Sequence, residues 1–268
     1  MAGPRTRLQL ERCLGMAPRV RIATAGWAIP RAVAEQFPAE GSGLERYAGR
    51  FDAVEINSTF YRSHRTSTYE RWAAQTPAHF RFALKLPRAI THAARLVDAD
   101  AALAAFRVEA EPLGDKLGPL LVQLPPSLVF EAPLAKRFWT ALREHWSGPV
   151  VCEPRHASWF EADADAMLAG FRVARAAADP ALSEAAARPG GWSGLAYWRW
   201  HGSPRMYYSA YDETQLQALA SELQVRPGEV WCVFDNTTSG AAAANALDLQ
   251  ARVAAGLLHA TESRAASE

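Results

Sequence analysis

Phe51-Asp52-Ala53-Val54-Glu55-Ile56-Asn57-Ser58-Thr59-Phe60-Tyr61 reads as a buried strand whose end carries a carboxylate and a carboxamide. Ala53, Val54 and Ile56 are apolar; Glu55 and Asn57 are not. Polar groups at the end of a buried strand are unfavourable unless a ligand or a hydrogen-bond network uses them. The same event recurs along the chain. Lys85 follows Phe80-Arg-Phe-Ala-Leu, Gln123 follows Pro119-Leu-Leu-Val, and Glu153 follows Val150-Val-Cys with Arg155 and His156 just behind. Asp179 follows Ala174-Arg-Ala-Ala-Ala, Arg199 and His201 close Leu195-Ala-Tyr-Trp-Arg-Trp-His, and Asp235 and Asn236 close Val230-Trp-Cys-Val-Phe.

The apolar runs alternate with helical segments. Strands are expected at Arg19–Ala25, Asp52–Ile56, Phe80–Leu86, Pro119–Leu124, Pro149–Cys152, Arg172–Ala178, Gly194–Trp200 and Glu229–Phe234. Helices are expected around Leu44–Arg50, at Ser67–Thr76 behind a Ser or Thr cap, at Asp98–Leu113 with Leu103, Phe106 and Val108 apolar, and at Pro133–His145 with proline in the first turn. Others are expected at Asp163–Ala169 closed by Gly170, at Asp212–Leu223 and at Ala242–Leu258. Eight strands alternating with helices over this length predict an α/β fold, a single-domain (β/α)8 TIM-like barrel over residues 19–260. Residues 1–18 read as a flexible arm and 261–268 as a disordered tail. The Pro180–Trp192 insert is expected to cross the barrel mouth. A doubly wound sheet would want a glycine-rich phosphate turn after strand one, and Ala25-Gly26-Trp27-Ala28 is not one. No nucleotide cofactor is therefore expected.

The 268 residues are 49% hydrophobic and carry Lys+Arg 29 against Asp+Glu 28, a formal charge of +1. That balance supplies no field for steering onto nucleic acid, so a nucleic-acid partner is possible but not favoured. No apolar run approaches the roughly 18 residues of a membrane span, so no membrane partner is expected. Cys13, Cys152 and Cys232 are odd in number and widely spaced, which argues against a disulfide framework and for a reducing, cytoplasmic setting.

In a barrel of this kind the site lies at the C-terminal ends of the strands. That rule gathers the polar strand ends into one mouth. Gly26-Trp27, Phe51 to Tyr61, Arg71-Trp72, Phe80 to Lys85, Ile90-Thr-His92, Leu117-Gly-Pro119, Gln123-Leu-Pro-Pro-Ser127, Glu153-Pro-Arg-His-Ala-Ser-Trp-Phe160, His201-Gly202 and Phe234-Asp-Asn-Thr237 together resemble the DUF72 family, also called YecE-like. The resemblance covers roughly Val20 to Leu258 and implies a TIM-barrel-like fold in a family of unknown function. Where the family often has Glu-Phe-Arg-His, this chain has Glu153-Pro154-Arg155-His156.

Glu55 and Asn57 share one strand face, as do Glu153 and Arg155. Glu55, Glu153 and His201 are the candidate catalytic acid/base groups. Lys85, Arg155 and Arg199 are candidates to bind an anion, and Asn57, Gln123 and Asn236 to orient a substrate. Trp27, Trp159, Tyr61 and His156 are candidates to line the pocket, and a stacked sugar or base ring would suit the two tryptophans. Asp179 and Asp235 would join Glu55, Glu153 and His201 as ligands of a divalent metal, if one binds. The expected function is acid/base chemistry, hydrolysis or isomerisation, on a small anionic metabolite such as a phosphorylated sugar. Metal-dependent hydrolysis and a non-catalytic ligand- or nucleic-acid-binding barrel are the alternatives.

Overall fold

The computed structural model describes residues 19–265. The expected N-terminal arm, with Cys13, lies outside them. Among the described residues ten strands form: β1 (Arg19–Thr24), β2 (Ala53–Ile56), β3 (Arg81–Lys85), β4 (Leu117–Gln123), β5 (Val150–Glu153), β6 (Val173–Arg175), β7 (Ala177–Asp179), β8 (Gly190–Gly191), β9 (Leu195–Trp200) and β10 (Glu229–Phe234). They make two runs, β2-β3-β4-β5-β6-β8 and β1-β10-β9-β7, parallel throughout except β6 with β8. Two seams join the runs. At one, Ala25 bridges Glu55 and the Gly26 amide donates to the Glu55 carbonyl at 2.8 Å. At the other, β6 and β7 are halves of the expected sixth strand, parted at Ala176, with β6 pairing β5 and β7 pairing β9. The fold is mixed α/β and TIM-like, with eight strand positions in chain order.

The inward face of each strand is set by the two-residue period. Ala23, Ala53, Ala83, Leu121, Val151, Ala174, Ala176, Leu195, Tyr197, Trp231 and Val233 pack together inside the ring. Small residues on β1 to β3 face the bulky Tyr197 and Trp231, so the interior is filled rather than open. Gly118 is required by that filling, because a Cβ there would lie 3.0 Å from the Trp231 ring. The outward face packs on the helices, in a larger cluster that includes Phe82, Leu84, Val122, Trp139, Leu168 and Leu249.

Helices α1 (Gly43–Ala48), α2 (Ser58–Tyr61), α3 (Thr66–Ala74), α4 (Asp100–Ala110), α5 (Ala132–His145), α6 (Ala162–Gly170), α7 (Glu213–Gln224) and α8 (Ala241–Ala265) connect or follow the strands. Capping boxes start α1 (Ser42 with Glu45) and α7 (Asp212 with Gln215). Several expected ends move. α3 begins behind Arg65 with no side-chain cap, so the expected Ser or Thr cap is not used. Gly170 ends α6 as a helical residue, and Arg172 takes the left-handed position at φ 55°. α4 stops at Ala110 and a 3-10 segment follows, while Val108, expected on the packed face, is 62% exposed. α8 outlasts the expected Leu258, running to Ala265 into the stretch read as tail.

The insert after β7 does not cross the mouth. It folds back antiparallel along β6, pairing Gly190 with Arg175 and Gly191 with Ala174. Arg175 clasps it, donating to the Ala185 carbonyl at 2.8 Å and to Asp165 at 2.8 Å. The insert thus pairs the edge of β6 that β9 does not, where an unpaired strand edge would be unfavourable.

Candidate functional site

Two residues beyond the inner apolar layer, on the same inward faces, stand Glu55, Lys85, Gln123, Glu153, Arg199 and Asp235. Their hub is Arg199, fully buried at the end of β9. Its Nε donates to Glu55 Oε2 at 3.0 Å and its Nη2 to Glu55 Oε1 at 2.6 Å, a forked pair. Nη1 donates to Glu153 Oε2 at 2.6 Å, and Nη2 also reaches Asp235 Oδ2 at 3.0 Å. Tyr197, two residues before Arg199 on the same face, donates its hydroxyl to Glu55 Oε2 at 2.9 Å. One guanidinium therefore ties three carboxylates from β2, β5 and the end of β10.

His201 completes the group. Its Nδ1 lies 3.1 Å from Asp235 Oδ2, and its Nε2 lies 2.8 Å from both Glu153 Oε1 and Arg155 Nη2. Arg155 also donates to Glu153 Oε1 at 2.7 Å. Nε2 donates to Glu153 when protonated and accepts from Arg155 when bare, so a proton there changes partner without moving the ring. Tyr207, at φ 68° in the loop after β9, sets its ring edge-on to His201 at 5.9 Å. The loop is pinned by the Gly202 amide donating to the Tyr211 hydroxyl at 2.8 Å, and Gly202 itself sits at φ 96° with the Ser209 carbonyl 2.9 Å from where a Cβ would be.

Burial alone would raise the Glu153 carboxyl, but Arg199, Arg155 and His201 outweigh it and hold it well below its usual range. Asp235 is lowered in the same way by Arg199 and His201 against its burial. Burial, then Glu55, pushes the Tyr197 phenol far up, so it stays a donor. Burial, then Asp235, likewise raises Tyr207. Burial and the Arg199 charge push the Lys85 ammonium down to about 8, against the pull of Glu153, Glu55 and Asp235. Lys85 Nζ makes no hydrogen bond to a described residue and rests 4.2 Å from the Phe60 ring centre.

Exposure divides the group. Glu55, Arg199 and His201 are sealed from solvent, whereas the Asp235 and Arg155 side chains are 10% and 13% exposed and Lys85 is 7%. Asn57 leans on the rim, donating to Asp235 Oδ1 at 3.3 Å with its own Oδ1 buried and unpartnered. Gln123 stands at the rim, its backbone in register with Glu153. The groups of this cluster that keep some exposure are thus Lys85, Asp235 and Arg155, with the 40% exposed Tyr207 against His201.

Other expected site residues go elsewhere. Trp159 is buried in the core, its indole donating to the Leu128 carbonyl at 2.9 Å. His156 caps the turn after β5 through Ser158. Asn236 is buried and donates to the Ser209 carbonyl and to Asn245, both at 2.9 Å, tying two loops together. Asp179 accepts from the Tyr211 hydroxyl at 2.8 Å rather than joining the carboxylates. Tyr61 is 78% exposed and borders a separate groove between α2 and α4. Trp27 meets Trp72 edge-on at 5.3 Å, in an outer groove lined by Arg62, Arg65 and Arg71. Among the described residues no three His, Cys, Asp or Glu side chains are arranged to hold a metal ion. The oxygens expected as ligands are committed to Arg199, Arg155, Tyr197 and Tyr211, so this donor set does not fit a metal. Tyr197 and Tyr207 were not foreseen from sequence. The signal for Tyr197 was its two-residue spacing from Arg199.

A ring of strand ends around a buried arginine, on a TIM-like α/β fold, defines the class. The chain belongs to the DUF72 family: the family model described as "Protein of unknown function DUF72" matches residues 21–267. The UPF0759 protein YecE of Escherichia coli K12 is 33% identical over 120 residues, 44% of this chain and 43% of that protein. The UPF0759 protein YunF of Bacillus subtilis is 27% identical over 149 residues, 53% of this chain and 52% of that one. The chain thus spans about half the length of the curated relatives it matches. A DUF72 family protein of Enterococcus faecalis superposes with a TM-score of 0.72 at 18% identity, covering 87% of this chain and 95% of that one. One from Thermotoga maritima gives 0.70 at 24%, covering 86% and 97%. These structures share the fold. No helix among the described residues is long and apolar enough to cross a membrane.

Proposed function

We propose that this protein is an enzyme that moves protons on a small, anionic, polar metabolite, in a hydrolysis or an isomerisation, with a phosphorylated sugar as the type of substrate. Asp235 carries the reading. It is held ionised by Arg199 and His201, yet one edge of it faces the opening beside Lys85. A carboxylate so placed is a base; the His201–Glu153 pair behind it is a path along which its proton can move on. Glu55 and Arg199 position these groups and do not touch the substrate. Lys85 and Arg155 favour an anion.

The test is incubation with a panel of phosphorylated aldoses, ketoses and 2-hydroxy acids in heavy water, followed by NMR. Exchange of a carbon-bound hydrogen, isomerisation or hydrolysis is expected with at least one. Asp235→Asn should reduce the rate by about 10²-fold or more, the usual share of a positioned base. A wild-type protein that leaves every compound unchanged refutes the reading.

A further inference from the structure

We propose that Lys85 is an amine nucleophile that forms an imine with the carbonyl carbon of a small anionic aldehyde or ketone at the barrel mouth. This deepens the acid/base reading and rests on it for the anionic class of the substrate.

The first support is which cation this position holds. All but three of the chain's 29 basic residues are arginine; the lysines are Lys85, Lys116 and Lys136. Lys136 is exposed on α5. Lys116 is used structurally, its Nζ donating to the Ala73 and Thr76 carbonyls, each at 2.5 Å. Where this protein needs a buried positive charge to hold carboxylates it uses Arg199, Arg175 and Arg21. A guanidinium cannot lose its proton or add to a carbonyl, whereas an amine can do both. Lys85 is the one lysine on the inward face of the barrel.

The second support is geometry. Every charged neighbour of the hub is paired, but Lys85 Nζ makes no hydrogen bond to a described residue. Lys85 keeps 7% of its surface exposed, so the side chain is not sealed as Arg199 is. Its stem is buried and its head lies against the Phe60 ring, which His92 and Tyr61 also meet edge-on at 4.9 and 5.0 Å. The groups acting on it from the surrounding strands are Arg199, Glu153, Glu55 and Asp235. The combination keeps a share of the amine neutral near pH 7.

The chemistry balances with the groups present. The Nζ lone pair attacks the carbonyl carbon as the C=O π pair passes to oxygen. The added nitrogen's second proton passes through the Tyr207 hydroxyl or a water to the new oxyanion, giving a neutral carbinolamine while Asp235 holds the proton first taken from the Lys85 ammonium. Return of that proton to the hydroxyl group expels water and leaves the protonated imine. Asp235, again ionised, can then take the adjacent C–H proton, which the imine has made acidic. No oxidant or reductant is consumed.

The test is reductive trapping of the whole protein near pH 7.5 with cyanoborohydride and, in turn, pyruvate, glyceraldehyde 3-phosphate, dihydroxyacetone phosphate and uncharged glycolaldehyde. Adducts on Lys85 and Lys136 are compared by peptide mass spectrometry, so Lys136 is an ordinary lysine in the same molecule. A lysine at about 8 holds roughly 200 times more free amine at that pH than an ordinary one. With at least one anionic probe, Lys85 should label at least about tenfold faster than Lys136, saturate with probe, and exceed its own labelling by glycolaldehyde. Lys85→Arg, folded or not, should lose that adduct. Labelling of Lys85 no faster than Lys136 with every probe overturns the proposal in the wild type alone. Hydrogen exchange without an adduct overturns the imine and keeps the acid/base reading. An adduct with no exchange, isomerisation or hydrolysis of any probe supports the amine and overturns that reading.

Discussion

Replacing Arg199 with methionine tests the hub itself. Methionine has a similar reach and no charge, so the space stays filled while the four bonds to Glu55, Glu153 and Asp235 are removed together. Breaking a buried pair by removing one partner costs about 3–5 kcal/mol, because the other charge is left uncompensated. Here three carboxylates lose a shared partner, and only Arg155, His201, Tyr197, Asn57 and Lys85 remain around them. The loss at neutral pH should be at least about 4 kcal/mol, a large part of the roughly 5–15 kcal/mol of a typical domain. Its pH dependence has a definite sign. Glu153 and Asp235 have folded values below their unfolded ones, so the stability they contribute is present above an ordinary carboxylate's range and fades as pH falls through the folded values. In the variant the same carboxylates no longer gain from ionising. The gap between wild type and variant should therefore be widest near pH 7 and narrow as pH falls below about 4. Urea unfolding followed by tryptophan fluorescence at several pH values measures it. A gap under about 1 kcal/mol near neutrality, or one that does not narrow in acid, refutes the account of the hub.

Two further substitutions probe the frame. Tyr197→Phe removes one donor from the buried Glu55 carboxylate and should lower unfolding free energy by about 1.5–3 kcal/mol in the same urea assay; no change would mean that the hydroxyl is dispensable. Gly191→Ala puts a Cβ 2.5 Å from the Val173 carbonyl oxygen at φ 64°, so it should cost about 1–3 kcal/mol and release the Trp192 amide to fast hydrogen exchange, while unchanged protection would show that the insert does not depend on β6.

The mouth was legible because one rule, alternation along a strand, fixes which side chains share a face. Glu55, Glu153, Arg199, His201 and Asp235 follow inward apolar residues by even steps, and the structure brings all five within one hydrogen-bonded group. What alternation cannot give is the partner each group takes. Asn236 and Asp179 close strands as Asp235 does, yet they turn to Asn245 and Tyr211, which arrive from the chain's later loops and α8. Trp159 and His156 were grouped with the pocket because they follow Glu153, but a 3-10 turn begins there and directs the indole into the core. The insert misled for a related reason. Its Ala- and Gly-rich sequence carries no strand signal, and only the unpaired edge of β6 decides where Gly190 and Gly191 lie. Arg199 itself looked like one anion-binding cation among three; that it is the centre depends on four contacts from three other elements.

On the proposal above, the mouth holds an amine kept partly neutral beside carboxylates fixed by Arg199. With three lysines in the chain, NMR of protein carrying isotope-labelled lysine side chains gives three resonances to titrate. One of them, absent from Lys85→Arg, should titrate at about 8 while the Lys136 resonance titrates near the ordinary lysine value of about 10.4. A Lys85 resonance that stays fully protonated until that ordinary range would contradict the account.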